Sequence, residues 1–216
     1  MEEQQQAEEQ QQAEEQQKAE EQQQVQKQQQ PVQLLMIHED LGALPELRLP
    51  EGYGIRSFRP GDEQAWEKII IASFGGEHAF DREMAADEAY KPERVWFLTD
   101  AAGEPIATAS AWYRPQWSED TGYLHMVGLL PEHAGKKLGY YVSLAALLQM
   151  VREERTRAVL HTDDFRIPAV KTYLGLGFVP SLVDGSHPGR WKALAGVLER
   201  VIPAREADGS SVEFES

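Results

Sequence analysis

The stretch Gly122–Gly139, GYLHMVGLLPEHAGKKLG, passes from an apolar, strand-like run through a turn into the basic loop Gly135-Lys136-Lys137-Leu138-Gly139. The helix-forming run YYVSLAALLQMVREER follows at once. A strand that ends in a Gly-flanked basic loop at a helix start gathers free backbone N–H groups and the positive end of a helix dipole at one point. Such a point suits a phosphate. Rival phosphate loops fail on spacing. A P-loop requires G-x-x-x-x-G-K-[ST], whereas Leu130 stands five residues before Gly135, and Lys137 takes the place of the magnesium-binding Ser or Thr. The dinucleotide fingerprint G-x-G-x-x-G after a first strand is absent as well. Read alone, the loop also fits a solvated basic turn.

A second segment, Arg166–Phe178 (RIPAVKTYLGLGF), sets Ala169, Tyr173 and Gly177-Phe178 at fixed offsets. In this order and spacing the two segments, within a region from Tyr53 to Pro180, resemble the GNAT N-acetyltransferase superfamily. In that family the first segment reads Arg/Gln-x-x-Gly-x-Gly/Ala, and its loop amides hold the pyrophosphate of acetyl-CoA. The matching hexad is Ala134, Gly135, Lys136, Lys137, Leu138 and Gly139, with Ala134 in place of the Arg or Gln and Lys137 in place of the first motif Gly. Arg166 stands where the family often has Asn, and Ala169, Tyr173, Gly177 and Phe178 match. The resemblance therefore implies that Arg166 and Ala169 also contact acetyl-CoA, the acyl donor. It implies an α/β (α+β) fold: a mixed, mostly antiparallel twisted sheet with helices on both faces, splayed between its fourth and fifth strands.

Acetyl transfer to an amine needs a neutral amine, a stabilised oxyanion and a proton for the departing thiolate. By the resemblance, the fourth strand offers backbone amides near Val127, Gly128 and Leu129 to the thioester carbonyl. A mid-strand glycine such as Gly128 fits either a close backbone approach or a packing concession. Tyr173 matches the family's thiolate-protonating tyrosine, and a phenol with a pKa near ~10 donates at neutral pH. A core tyrosine bonded to a carbonyl is the structural alternative. His125 is the candidate general base, because imidazole titrates near neutrality; a structural strand histidine is the other reading. Glu119 and Asp120 could pass a proton through water instead. Trp112, Tyr113, Trp117 and Tyr123 line either an acceptor pocket or the core. Asp163-Asp164 reads as a helix cap, and the histidines show no metal-ligand spacing.

Composition sets the outer bounds. The chain has 216 residues, a formal net charge of −15 and no Cys, which excludes disulfides, zinc-thiolate sites and cysteine nucleophiles. No apolar run approaches the ~18 residues of a membrane span, and no secretion signal precedes the body, so a cytoplasmic location is expected. An acidic protein is a poor partner for nucleic acid. Residues 1–33 form a Gln/Glu-rich low-complexity tail, with 15 Gln and 8 Glu in the first 30 positions. Its six-residue register steps Ala7, Ala13, Ala19 and Val25 round a helix by about 120° each, so no coiled-coil seam forms. Residues 34–52 read as a linker, 53–202 as the N-acetyltransferase domain and 203–216 as an acidic C-terminal tail. The expected acceptor is a primary amine of a small molecule or peptide; no metal is implied. A silent acyl-CoA-binding domain and an interaction protein using the tail remain open, as do a homodimer and an unidentified tail partner.

Overall fold

Short apolar runs become strands here, and every strand joins one sheet. The computed structural model describes residues 32–216. Its strands are β1 (Leu34–His38), β2 (Gly54–Ser57), β3 (Val95–Thr99), β4 (Pro105–Trp112), β5 (Thr121–Leu129), β6 (Arg157–Thr162), β7 (Val179–Leu182), β8 (Ile202–Glu206) and β9 (Ser211–Phe214). They are ordered β2-β3-β4-β5-β6-β1-β7-β8-β9. Only β5/β6 and β7/β8 pair in parallel; the other neighbours are antiparallel. Among the described residues, four α-helices accompany the sheet: α1 (Glu63–Phe74), α2 (Leu138–Arg152), α3 (Ile167–Gly175) and α4 (His187–Leu198).

Two glycines of β5 show how the helices are seated. A Cβ on Gly122 would run into Met150 of α2, whereas one on Gly128 would lie 2.9 Å from Ile69 and Ser73 of α1. Gly128 faces Thr108 and His125 faces Ser110 in the pairing with β4, so Gly128 shares a face with His125 and Tyr123, and Gly122 points the other way. Helices therefore cover both faces. The α1 face packs Phe58, Trp66, Phe80 and Phe97, with Phe58 stacked on Phe80 at 4.7 Å and Trp66 edge-on to Phe80. Each such buried side chain contributes about 1.5–3 kcal/mol.

The boundaries expected from sequence need correction at both ends. Residues 34–52 are no linker: β1 lies between β6 and β7, with Leu34 and Met36 fully buried. A strand covered on both faces reads as a continuous apolar run, and LLMIH is only five residues long beside a low-complexity segment. The 203–216 tail is also sheet: β8 and β9 form a hairpin whose turn carries Asp208-Gly209, with Gly209 at φ 85°. Asp-Gly between β-prone runs is the expected hairpin signal. Asp81–Ala85 form a single wide helical turn. Of the Gln/Glu-rich segment 1–33, all but the last two residues lie outside the described residues. Because β1 precedes the rest, the expected fourth and fifth strands are β5 and β6.

Between those strands the sheet opens. Pairing runs from Thr121↔Arg157 to Tyr123↔Val159 and then stops, although both strands continue. On its other edge β5 carries a bulge: Ser110 faces His125 and Thr108 faces Gly128, leaving Met126 and Val127 opposite one residue, with Met126 at φ 48°. A bulge bends its strand and displaces one peptide from the ladder. The result is a cleft between β5 and β6.

Candidate active site

The loop from β5 to α2 closes one end of this cleft. Pro131–His133 make a 3-10 turn, Gly135 turns at φ 82°, and Lys137 enters α2 in the left-handed region at φ 58°, ψ 23°. Among the described residues, the amides of Gly135, Lys136, Lys137, Leu138 and Gly139 donate to no backbone or side-chain acceptor; Tyr140 N, the next one, donates to Lys137 O at 3.0 Å. Five successive unpaired N–H groups with two ammonium side chains make an anion cradle. Ala134, extended at φ −63°, ψ 162°, leads into it without contributing a charge. The family's glycine at position 137 is replaced here by a residue that pays about 1–2 kcal/mol to hold the same left-handed turn.

Along β5 the three expected contact positions have different fates. Val127 sits in the bulge. Gly128 is small because α1 packs against it, which is the packing reading rather than approach by a ligand. The Leu129 amide donates to Ser73 Oγ at 3.0 Å, so it is already satisfied. Arg166 is engaged at the end of α1: its Nη1 donates to Ser73 O at 3.2 Å, its Nε faces Asp163 at 3.4 Å, and its guanidinium stacks 4.3 Å above Phe74. It ties the start of α3 to the end of α1. Ala169 follows in the first turn of α3, its amide bonded to Arg166 O at 2.9 Å. Asp163 and Asp164 do not cap α3; they pair with Arg166 and Arg190.

Tyr173, on α3, is 6% exposed and packs edge-on to Phe178 at 6.2 Å. Its hydroxyl has no hydrogen-bond partner among the described residues, so the carbonyl-bonded core reading lacks its carbonyl. Burial pushes its pKa well above the usual phenol value, partly offset by the nearby Arg166 charge. It stays protonated at any physiological pH, as a proton donor must.

His125 differs from expectation. Arg114 Nη2 donates to its Nε2 at 3.4 Å, while Arg114 Nη1 is held by Asp87 at 2.6 Å. Burial, then the Arg114 charge, push its pKa down to about 4. A base that weak, with its lone pair facing a guanidinium, is a poor acceptor for an ammonium proton. Glu119 and Asp120 stand just before β5; Asp120 accepts from Ser118 at 2.5 Å and Thr156 at 3.1 Å and ties the start of β5 to the start of β6. The aromatic cluster divides: Trp112 is core, Tyr113 lies against Arg94 and Arg155, and Tyr123 stands at the last β5/β6 pair, where the sheet opens. The sequence reading missed one contact there, Tyr123 Oη to His161 Nδ1 at 3.2 Å. The β5/β6 register contains it, since His161 follows Val159, the partner of Tyr123, by two residues on the same face. Among the described residues no three His, Asp or Glu side chains gather into a metal site.

A split sheet with a bulged strand on one side and an amide-lined loop at its end is the architecture of CoA-dependent acyltransferases. The model of the acetyltransferase (GNAT) family matches residues 63–178, and the chain belongs to that family. It is 32% identical over 168 residues to a mycothiol acetyltransferase of Actinosynnema mirum, covering 74% of this chain and 53% of that protein. A mycothiol acetyltransferase of Pseudarthrobacter chlorophenolicus is 32% identical over 145 residues, 62% of this chain and 45% of the relative. The chain thus spans about half the length of these curated relatives. Among solved structures, a GCN5-related N-acetyltransferase from Kribbella flavida superposes with a TM-score of 0.52 at 21% identity, over 69% of this chain and 55% of that one.

Proposed function

We propose that the chain is an acetyl-CoA-dependent N-acetyltransferase that moves the acetyl group directly to a primary amine of a small molecule or peptide. The observation that carries this reading is the cradle of five unpaired amides, Gly135 to Gly139, opening onto the β5/β6 cleft. Acetyl-CoA is the acyl donor, and its pyrophosphate suits that cradle and the ammonium groups of Lys136 and Lys137. The displaced peptide at Met126–Val127 is available to the thioester carbonyl, where a backbone N–H stabilises developing negative charge. Tyr173 gives its proton to the departing thiolate. His125 holds Arg114 in place rather than taking the amine proton.

Acetyl-CoA titrated into thermal melts, followed by CoA release with a panel of amines, tests the proposal. Because relatives carry the name mycothiol acetyltransferase, the unacetylated form of mycothiol belongs in that panel beside glucosamine, spermidine and a lysine peptide. A melting shift with turnover on one amine is expected; a shift without turnover would leave a silent acyl-CoA binder, and no shift would remove the donor assignment.

A further inference from the structure

His125 is blocked as acceptor of the amine proton, Asp120 is held by Ser118 and Thr156, and Glu119 lies exposed outside β5. We propose that Tyr123 and His161 form the proton-accepting pair of this cleft, with Tyr123 touching the amine and His161 acting through it. The inference rests on the acetyl-transfer reading above. Tyr123 marks the last β5–β6 pairing, so its side chain stands where the sheet opens. Its hydroxyl lies 3.2 Å from His161 Nδ1 and its ring 5.7 Å from the imidazole. Both side chains are only partly buried, so the cleft reaches them. Tyr173 lies close enough for the two phenols to influence each other. Donor and acceptor of protons are thus neighbours.

His161 is neutral near pH 7, and unlike that of His125 its ring nitrogen faces a hydroxyl rather than a guanidinium. Burial, then the neighbouring His187 of α4, hold its pKa below the ordinary value. Burial raises the Tyr123 pKa and the Arg114 guanidinium, 5.5 Å over its ring, offsets this in part; His125 is 5.4 Å from it on β5. The imidazolium that forms on His161 passes its proton on to water. The ammonium substrate gives one proton to Tyr123 Oη as the Tyr123 proton moves to His161 Nδ1, and His161 releases it to water. The neutral amine nitrogen then bonds to the thioester carbon, the C–S bond breaks and the second amine proton leaves to water, while Tyr173 protonates the thiolate and regains a proton from water.

The test compares Tyr123→Phe, His161→Gln and the double variant with the parent, using acetyl-CoA and the fastest amine of the panel, from pH 6 to 9.5. Each single variant is expected to lose about 10²-fold or more of kcat/KM near pH 7. The loss shrinks as pH nears the pKa of the amine, where the substrate arrives already neutral. The double variant loses no more than either single one, because two members of one relay are not additive. An acetyl-CoA melting shift retained in all three shows that fold and donor site are intact; should His161→Gln unfold, Tyr123→Phe alone carries the pH test. Variants that keep the parental profile, or losses that multiply in the double variant, overturn the pair while acetyl transfer stands. A parent that releases no CoA with any amine overturns both.

Discussion

Tyr173 and His125 are both largely buried, and burial moves their pKa values in opposite directions: the acid is kept protonated and the histidine is kept neutral. Tyr173→Phe removes one hydroxyl and almost no volume. Acetyl-CoA affinity should stay within a few-fold while turnover drops by about 10²; a turnover loss that only follows lost affinity would make the residue a positioning one. For His125 the readout is stability. Its folded pKa lies below the unfolded value, so the unfolded chain binds more protons between about pH 6.5 and 4, and stability falls as pH falls through that window. The contribution is at most about 3 kcal/mol. His125→Gln should flatten this acid loss in melts at pH 7 and pH 4.5, and should leave the shape of the rate profile above pH 6 unchanged. The motif segments singled out Tyr173, which lies buried on α3. They could not reveal the Arg114 clamp on His125, because Asp87 and Arg114 lie in loops whose contacts follow no period.

The loop before α2 combines two substitutions at positions where the family has other residues, and the structure separates their effects. Lys137 holds a left-handed turn that glycine holds without strain. Lys137→Gly should therefore raise stability by about 1 kcal/mol, judged by denaturant midpoint, while weakening acetyl-CoA through the lost ammonium. Gly135→Asp should do the reverse of help on both counts, since φ 82° is unfavourable for Asp and a carboxylate would face the pyrophosphate. At the bulge, Gly128→Ala would push a methyl to 2.9 Å from Ile69 and Ser73; a loss of about 1–3 kcal/mol is expected, with the Ser73–Leu129 bond disturbed. Strand and helix content here was readable because turn residues punctuate it and because β5, α2 and β6 alternate in the pattern of a parallel crossover. The bulge was not, as it depends on two residues sharing one partner across the sheet.

In the molecule as a whole, the missed strand matters most. Residues 1–30 offer three Ala and one Val for burial, so removing them should leave the melting temperature and acetyl-CoA binding unchanged within error. Removing residues 1–40 instead takes away Leu34, Leu35 and Met36, each 4% exposed or less. At about 1.5–3 kcal/mol per side chain, that loss rivals the entire stability of a typical domain, and circular dichroism should show an unfolded chain. The sheet order also sets a schedule. β1 is made early, yet its neighbours β6 and β7 end at Thr162 and Leu182, so its slot exists only after more than a hundred further residues have left the ribosome. Until then LLMIH is an unclaimed apolar strand next to a stretch of glutamine and glutamate that keeps it in water. Pairing across so long a span is slow. In refolding experiments followed by pulsed hydrogen exchange, the amides of β1 should gain protection after those of β3, β4 and β5, and a free peptide of β1 sequence should slow that step by occupying the vacant lane first.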